Sequence, residues 1–475
     1  MRRCDMARGK KAAKALTLEE KLEQALVPEE EQPYVIPENW CWCRIGNISD
    51  MERGITFPAS AKEYELTETN IPCLRTANIQ EELVIDDLLY IDRNYIKNNS
   101  SKYVYSKDII MSSANSRELV GKSVYVHDVP FPMTFGGFVL ILRVKNILSK
   151  YLFYYLRFEF LFGKFMGEST QTTNIANINA KKLGNYEIPL PPSMEQQRIV
   201  TRIENLFTKL DEAKEKAQVV IDSFELRKSA ILHKAFTGEL TEQWRKKHGV
   251  ELESWISVFL SDVCKVNPKK LDAKNLPDDL EVSFFPMSSL SETYGKITEP
   301  QTKLLKEVRT GFTSFVEGDV VFAKITPCME NGKSAIIGKL VNNIGYGTTE
   351  FYVLRCEKKL YNRYLYHLVR DQYFRNQAKA VMTGAVGQQR VPKDFMETYP
   401  LRLPSVIEQH EICHILDELF FKEMKIIQAA ESVLAQIDTM KKAILARAFR
   451  GELGTNNPSD ENAIELLKEV LAEKN

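Results

Sequence analysis

Apolar residues recur at alternating spacings of four and three through two long stretches of the chain. Ile199, Ile203, Leu206, Leu210, Ala213, Ala217, Val220 and Phe224 form the first. The second comprises Ile412, Leu416, Leu419, Ile426, Ala430, Val433, Ile437, Met440 and Ile444, interrupted by Glu423. This is the periodicity of a coiled-coil seam, held for about four to six heptads. Each predicted helix follows a proline-containing extended piece, with Ser193 or Ser405 as its expected cap and Glu195 or Glu408 in the first turn. Each is expected to stop near Gly238 or Gly451, where glycine suits a C-terminal cap. A helix of about 44 residues spans ~66 Å at ~1.5 Å per residue. A long globular segment separates the end of the first helix from the start of the second, so antiparallel pairing is the easiest connection.

Residues 40–190 and 255–403 are patterned differently. Short β-rich runs alternate with turns: Tyr103–Tyr105, Ser123–Val126, Phe138–Leu142, Asp319–Phe322, Ser334–Ile337 and Phe351–Leu354. Helical, aromatic stretches follow at 151–156 and 364–368, with ring spacing that predicts core packing. These segments read as α+β heads, each a sheet with a few packed helices.

The chain is built twice. Setting 190–240 against 403–453, a shift of 213, leaves 19 of 51 positions identical without a gap. Weaker matches extend into the heads: Asp108 and Gly121-Lys122-Ser123 against Asp319 and Gly332-Lys333-Ser334, Leu142-Arg143 against Leu354-Arg355, and Trp40 against Trp255. One part of the unit is kept alike while the other differs, the trace expected of a shared scaffold carrying two different reading heads. Short helices are predicted outside the duplicated units. Thr17 to Glu20 has the form of a capping box ahead of Leu18, Leu22, Ala25 and Leu26, and Ser459 is the expected cap for Ile464, Leu467 and Leu471. Neither is needed to complete a head on this reading, so both are expected to serve partner contacts.

Formal charge is zero, from 64 basic and 64 acidic residues, so affinity for an acidic partner must come from local patches. Such patches exist. Residues 50–92 carry 3 basic and 10 acidic side chains, whereas 93–182 carry 13 and 5. Residues 251–299 carry 5 and 9, and 300–395 carry 15 and 8. A basic half recurring in each head is a nucleic-acid footprint. The eight cysteines are scattered and contain no C-x-x-C pair, which suits reduced thiols; no long apolar run or secretory leader is evident, so a cytoplasmic protein is expected.

Three motifs suggest catalysis and fail on their own terms. Gly121-Lys122-Ser123 and Gly332-Lys333-Ser334 resemble the end of a phosphate loop, but the required first glycine is Ser116 or Pro327. His410-Glu411-Ile412-Cys413-His414 fits the zinc-peptidase pattern, yet Ile412 is a seam position and the first copy reads Gln197-Arg198-Ile199-Val200-Thr201. No metal site is expected, and no engine of its own is evident.

Two variable heads, each followed by an L-P-x-x-x-E-Q helix ending in K-x-A-I-L-x-x-A-F-x-G-E-L, resemble the specificity subunit of type I restriction–modification systems. The run from Gly318 to Pro327 followed by Asn331-Gly332-Lys333 is similar to target-recognition domains of that family. The resemblance implies two target-recognition domains separated by a long antiparallel two-helix coiled coil. Residues 1–35 would be an N-terminal helical extension, 36–190 the first recognition domain, 191–250 the first coiled-coil helix and linker, 251–403 the second recognition domain, 404–453 the second helix, and 454–475 a C-terminal tail. It further implies a host-defence subunit without catalysis or cofactor. Its partners would be double-stranded DNA, two methyltransferase subunits binding S-adenosylmethionine, and restriction subunits using ATP and magnesium. A recognition chain of a methylation-only or combined type II-like complex, or a protein-only coiled-coil adaptor, remain alternatives. Polar loops beside the basic halves hold side-chain types that match base edges or phosphates: Asn115, Arg117 and Lys122; Gln171, Thr172 and Asn174; Lys324, Thr326, Asn331 and Lys333; and Gln388, Gln389 and Arg390.

Overall fold

A computed structural model describes residues 16–97, 99–168, 170–172, 175–273, 275–292, 297–385 and 387–473. The chain divides into two compact units, Met1–Glu215 with Val433–Asn475, and Lys216–Ser432.

The first unit is organised by an antiparallel sheet in the order Ser49–Arg53, Val139–Val144, Ile109–Ser112, Ser123–Tyr125. Side chains alternate across a strand, and both faces of this sheet are buried. Ile109, Met111, Leu140 and Leu142 join one core with the aromatic helix Ser149–Leu161, while Ile110, Val124, Val139 and Ile141 join another. That double burial explains why the sequence shows continuous apolar runs rather than alternation. A smaller sheet pairs Asn70–Leu74 with Leu89–Asp92 and, in parallel, with Thr134–Phe135. Cys41–Arg44 pairs antiparallel with Glu187–Leu190, bringing the start and end of the head together.

The second unit repeats this plan. Its sheet runs Cys264–Val266, Phe351–Cys356, Val320–Ala323, Ser334–Ile336. Val320, Phe322, Tyr352 and Leu354 face the core that holds the helix Asn362–Arg370; Val321, Ala335, Phe351 and Val353 face the other side. Ile256–Phe259 pairs with Pro400–Leu403 to close the head. The Asp and Arg that repeat in the sequence form one ion pair per sheet. Arg143 grips Asp108 through Nε and Nη2, both at 2.8 Å, and Arg355 grips Asp319 with the same two distances. Among the predicted β-runs, only Tyr103–Tyr105 forms no strand; it is an extended link with Val104 buried.

The long helices run antiparallel within each unit. In the first, Arg198 reaches the Thr455 carbonyl and Lys441 pairs with Asp211 at 2.6 Å. In the second, Arg227 pairs with Glu423 and Ile412 and Leu416 pack with Leu232 and Ala235. Val406–Phe449 is one helix of 44 residues, but the first copy is two, Ser193–Asp222 and Phe224–Thr237. The expectation of one unbroken first helix is corrected at Ser223, whose hydroxyl donates back to the Val219 carbonyl at 2.6 Å, a bond that bends helices. The predicted seam also needs one correction. Ile426, Val433 and Met440 are exposed, whereas Ile427, Ala430, Leu434, Ile437 and Lys441 turn inward. Counting on from Glu423 by four rather than three restores the packed face. The seam residues Ile199, Ile203, Ile412, Leu416 and Ile437 are buried, and Leu206, Leu210 and Leu419 are half-buried.

At the helix starts, Ser405 caps the second copy through a bond to the Glu408 amide. Ser193 does not cap the first, because it is already the first helical residue; Pro192 holds the place of Ser405. The following Glu-Gln pair is fully buried in both copies and acts structurally. Gln196 accepts from the Leu148 amide and donates to the Pro191 carbonyl, and Gln409 does the same with Tyr361 and Pro404. Glu408 accepts from Thr241, Arg245 and Trp255, while Glu195 accepts from Thr455 and Arg198. Gly238 and Gly451 end the helices at φ +87° and +74°, and a Cβ on either would lie 2.5 Å from a side-chain carbon.

The terminal helices are not spare. Leu18–Ala25 carries the expected capping box on Thr17, and Ala463–Glu473 buries Ala463, Leu467, Val470 and Leu471 in the core shared with Ala25, Ile45 and Ile48. Both therefore complete the first unit, contrary to the expectation that they stand outside it. Ser459 does not cap the last helix; Asn462 Oδ1 accepts from the Ile464 amide instead. Among the described residues, no helix is long and apolar enough to cross a membrane.

Candidate nucleic-acid interface

In the second head, the loop after the strand Val320–Ala323 and the hairpin at 383–390 are laced into one surface. The Thr326 amide donates to the Gln389 carbonyl at 3.0 Å, and the Gln389 amide donates back to Thr326 Oγ1 at 3.1 Å. Thr383 and Arg390 exchange amide–carbonyl bonds of 3.0 and 2.8 Å across the hairpin, which turns through Gly384 and Gly387, both at positive φ. Lys324 is fixed by its main chain to Glu350 and Val391, and its ammonium lies 5.5 Å from the centre of the Tyr352 ring. Asn331 is exposed on the same loop. Lys333 is drawn inward, its side chain only 15% exposed and 3.5 Å from Glu292.

Arg390 stands differently from its sequence reading. Its guanidinium forks onto the Glu350 carboxylate through Nε and Nη2, both at 2.9 Å, and donates through Nη1 to the Gln388 carbonyl. The Arg390 bond, followed by its charge, holds the Glu350 carboxyl below the usual range despite partial burial. The arginine thus holds the hairpin that presents Gln388 and Gln389. Sequence reading missed Glu350, forty positions upstream, because nothing local marks it as the partner.

The first head builds the corresponding surface from other residues. Ala114–Asn115 pairs with Ile175–Asn177, which pairs in turn with Thr170–Thr172. Gln171 and Thr172 fall in that last strand; Asn174 lies outside the described residues. Asn115 donates to Ser112 Oγ and accepts from the Ser116 amide, so its amide group shapes the turn. Arg117 is exposed, with Nε 3.3 Å from the Met166 carbonyl. Lys122, the counterpart of Lys333, donates to Gln80 at 2.5 Å. The pairings coincide across the duplication: Thr170 with Asn177 corresponds to Thr383 with Arg390, and Ala114 with Asn177 to Ile325 with Arg390. Asn177 therefore occupies the place of Arg390. It escaped the sequence reading, although the 213-residue shift carries one directly onto the other.

The zinc-peptidase pattern lies apart from this surface. The His410 ring stacks on Tyr361 with centroids 3.9 Å apart, and His414 sits beside Glu418 on an exposed helix face.

One frame thus presents two differently furnished polar surfaces. The family described as "Type I restriction modification DNA specificity domain" matches at residues 37–220 and again at 253–434. The chain belongs to this family. The match falls twice, once on each head and the long helix that follows it. The chain is 24% identical to the EcoKI specificity subunit of Escherichia coli (strain K12) over 92% of its own length and 96% of that protein. It is 31% identical to the EcoEI specificity subunit of Escherichia coli over 47% of this chain and 44% of that protein. The HsdS subunit from Thermoanaerobacter tengcongensis has the same fold, with a TM-score of 0.60 at 19% identity over 89% of this chain and all of that one. A chain from a structure of complex assembly in the type I R-M system gives 0.62 at 18% identity, with the same coverage.

Proposed function

We propose that this specificity subunit reads a bipartite DNA target, one short word per head. The carrying observation is that one loop-and-hairpin surface is built twice on the same frame with different side chains. Lys324, Arg117 and the basic halves around them supply phosphate contacts, which fix position without reading sequence. Gln388, Gln389 and Asn331 in the second head offer amide groups of the kind that pair with adenine edges. Arg390 positions the reading hairpin.

On this reading the chain is non-catalytic and works in the cytoplasm. The duplicated frame offers equivalent surfaces to two methyltransferase subunits, which bring S-adenosylmethionine. Restriction subunits acting through them bring ATP and magnesium. The family membership and the named relatives support DNA and the methyltransferase and restriction subunits as partners.

Co-expression with a methyltransferase partner, followed by sequencing of the methylated sites, tests the proposal. Gln389→Ala should relax one base of one word, at roughly 1–3 kcal/mol. Lys324→Glu should weaken binding across all sequences and flatten its salt dependence by about one unit. Relaxation of both words by Gln389→Ala, or unchanged affinity in both variants, would refute it.

A further inference from the structure

Each unit holds a cleft between its head and its long helices, and the duplication makes one cleft a control for the other. In the first unit a cleft of about 850 Å³ is rich in carboxylates, including Glu81, Glu82, Asp128, Glu204 and Asp211. Its cations are matched, Lys441 to Asp211 at 2.6 Å and Arg157 to Glu81 at 3.3 Å, and the lining Glu204 pairs with Lys150, outside the lining, at 2.6 Å. In the second unit the cleft is about 660 Å³, and its charged lining is Lys228, Lys339, Arg363 and Arg370 against Asp417.

The 213-residue shift aligns the two sets. Arg363 and Asp417, 2.6 Å apart, repeat the pair of Lys150 and Glu204. Lys228 stands where Lys441 stands, but its cross-helix partner is lost, because Met424 replaces Asp211. Among the described residues, Lys228 forms an ion pair only with Glu225, one turn away on its own helix and 66% exposed. The Lys228 side chain as a whole is 13% exposed. Burial, and then the nearby Arg370 charge, push its pKa down against the opposing pull of Glu225. Around it the wall is aromatic, with Phe224, Phe285, Tyr366 and Phe420, and with Phe421 61% exposed at the rim.

We infer that the cleft of the second unit binds a nucleoside phosphate, its phosphates at Lys228 and its base on the aromatic wall. Cations alone would suit inorganic phosphate. The apolar wall and a volume within the ~300–1,000 Å³ typical of small-molecule sites suit a planar organic part as well. The site is separate from the reading surface but joined to it, since Arg370 donates to the Gly332 carbonyl at the end of the loop that begins with Lys324.

Titration of the full chain with a fluorescent ATP analogue, without DNA, tests this. Saturable binding at one site is expected, competed by ATP about tenfold better than by adenosine or inorganic phosphate alone. Met424→Asp copies the residue of the first cleft, so the helices should accept it, and it should weaken binding about tenfold or more. Phe421→Ala, at an exposed position, should weaken ATP binding while leaving phosphate competition unchanged. Lys441→Met in the first cleft should have no effect on the titration. The inference fails if no saturable binding is seen, or if Met424→Asp and Phe421→Ala both bind like the parent chain. It also fails if a short random duplex displaces the analogue as effectively as ATP, which would make the cleft part of the DNA track.

Discussion

Arg390 illustrates what a residue type reveals alone and what it needs its neighbours to reveal. An arginine in a glutamine-rich loop of a basic half is a natural reader of guanine, yet here three of its nitrogens are engaged by Glu350 and the Gln388 carbonyl. Gln388 and Gln389 were legible as reading candidates because their chemistry is their own; the role of Arg390 depended on a carboxylate brought in by the fold. The same limit applies to the buried Glu-Gln pairs, whose acidic members suggested only a favourable helix start. Glu408 is in fact buried against Arg245, a pair whose partners are 163 positions apart. The clamp gives a pH-dependent prediction. The Glu350 carboxyl is held below its ordinary value by Arg390, so the clamp is fully formed above the normal carboxylate range and opens as pH falls through the lowered folded value. Amide shifts of Thr383 and Arg390 followed by NMR should show that acid-side transition, and Glu350→Gln should abolish it. Glu350→Gln should also relax the base position that Gln389→Ala relaxes, because both disturb the hairpin. Full sequence selectivity in Glu350→Gln would show that the hairpin holds itself.

At the scale of elements, period and punctuation made the helical course of both copies, its glycine ends and a few central strands of each head readable, but not the break at Ser223 or the outer strands. Phase was harder. Beyond Glu423 a spacing of three and a spacing of four both land on apolar residues, Ile426 or Ile427 and Val433 or Leu434, and only packing chooses. The charge that interrupts the pattern proved to be a partner: Glu423 and Arg227 meet across the second unit's helix pair, one turn beyond the break at Ser223. Arg227 also bonds the Val220 carbonyl and Ser223 Oγ, so it braces the bend. Removing one member leaves the other half-buried and unpaired, which is costlier than removing both. Arg227→Leu and Glu423→Leu should each lower the melting temperature, whereas the double variant should recover most of the loss by extending the apolar seam. Strictly additive single effects would mean that the pair is not coupled, and that Ser223 alone sets the bend.

At the scale of the whole molecule, the duplication was visible in the letters, but the membership of each unit was not. Nothing in residues 456–475 announces that Ala463, Leu467, Val470 and Leu471 belong to the core of a head that begins more than four hundred positions earlier. Chain order conceals this; contact reveals it, because the last helix packs against the short helix Ile45–Ile48 and against Leu18–Ala25. The consequence bears on exchanging heads. If each head reads its own word, replacing residues 40–190 with the first head of another family member should change one word of the methylated target and leave the other intact. That exchange also replaces Ile45 and Ile48, and so sets a foreign surface against the native terminal helices. Each fully buried aliphatic side chain contributes roughly 1.5–3 kcal/mol, so a mismatch across this contact costs enough to unfold a marginal unit. Exchange limited to 49–186 keeps the strand pair Cys41–Arg44 with Glu187–Leu190, the Ile45–Ile48 helix and both terminal helices native. It should therefore give more folded protein than the 40–190 exchange while switching the same word. Sequencing methylated sites for both exchanges, beside their thermal melts, checks the two parts separately. If both words change, the heads do not read independently; if the shorter exchange is the less stable, the terminal helices do not govern the fit.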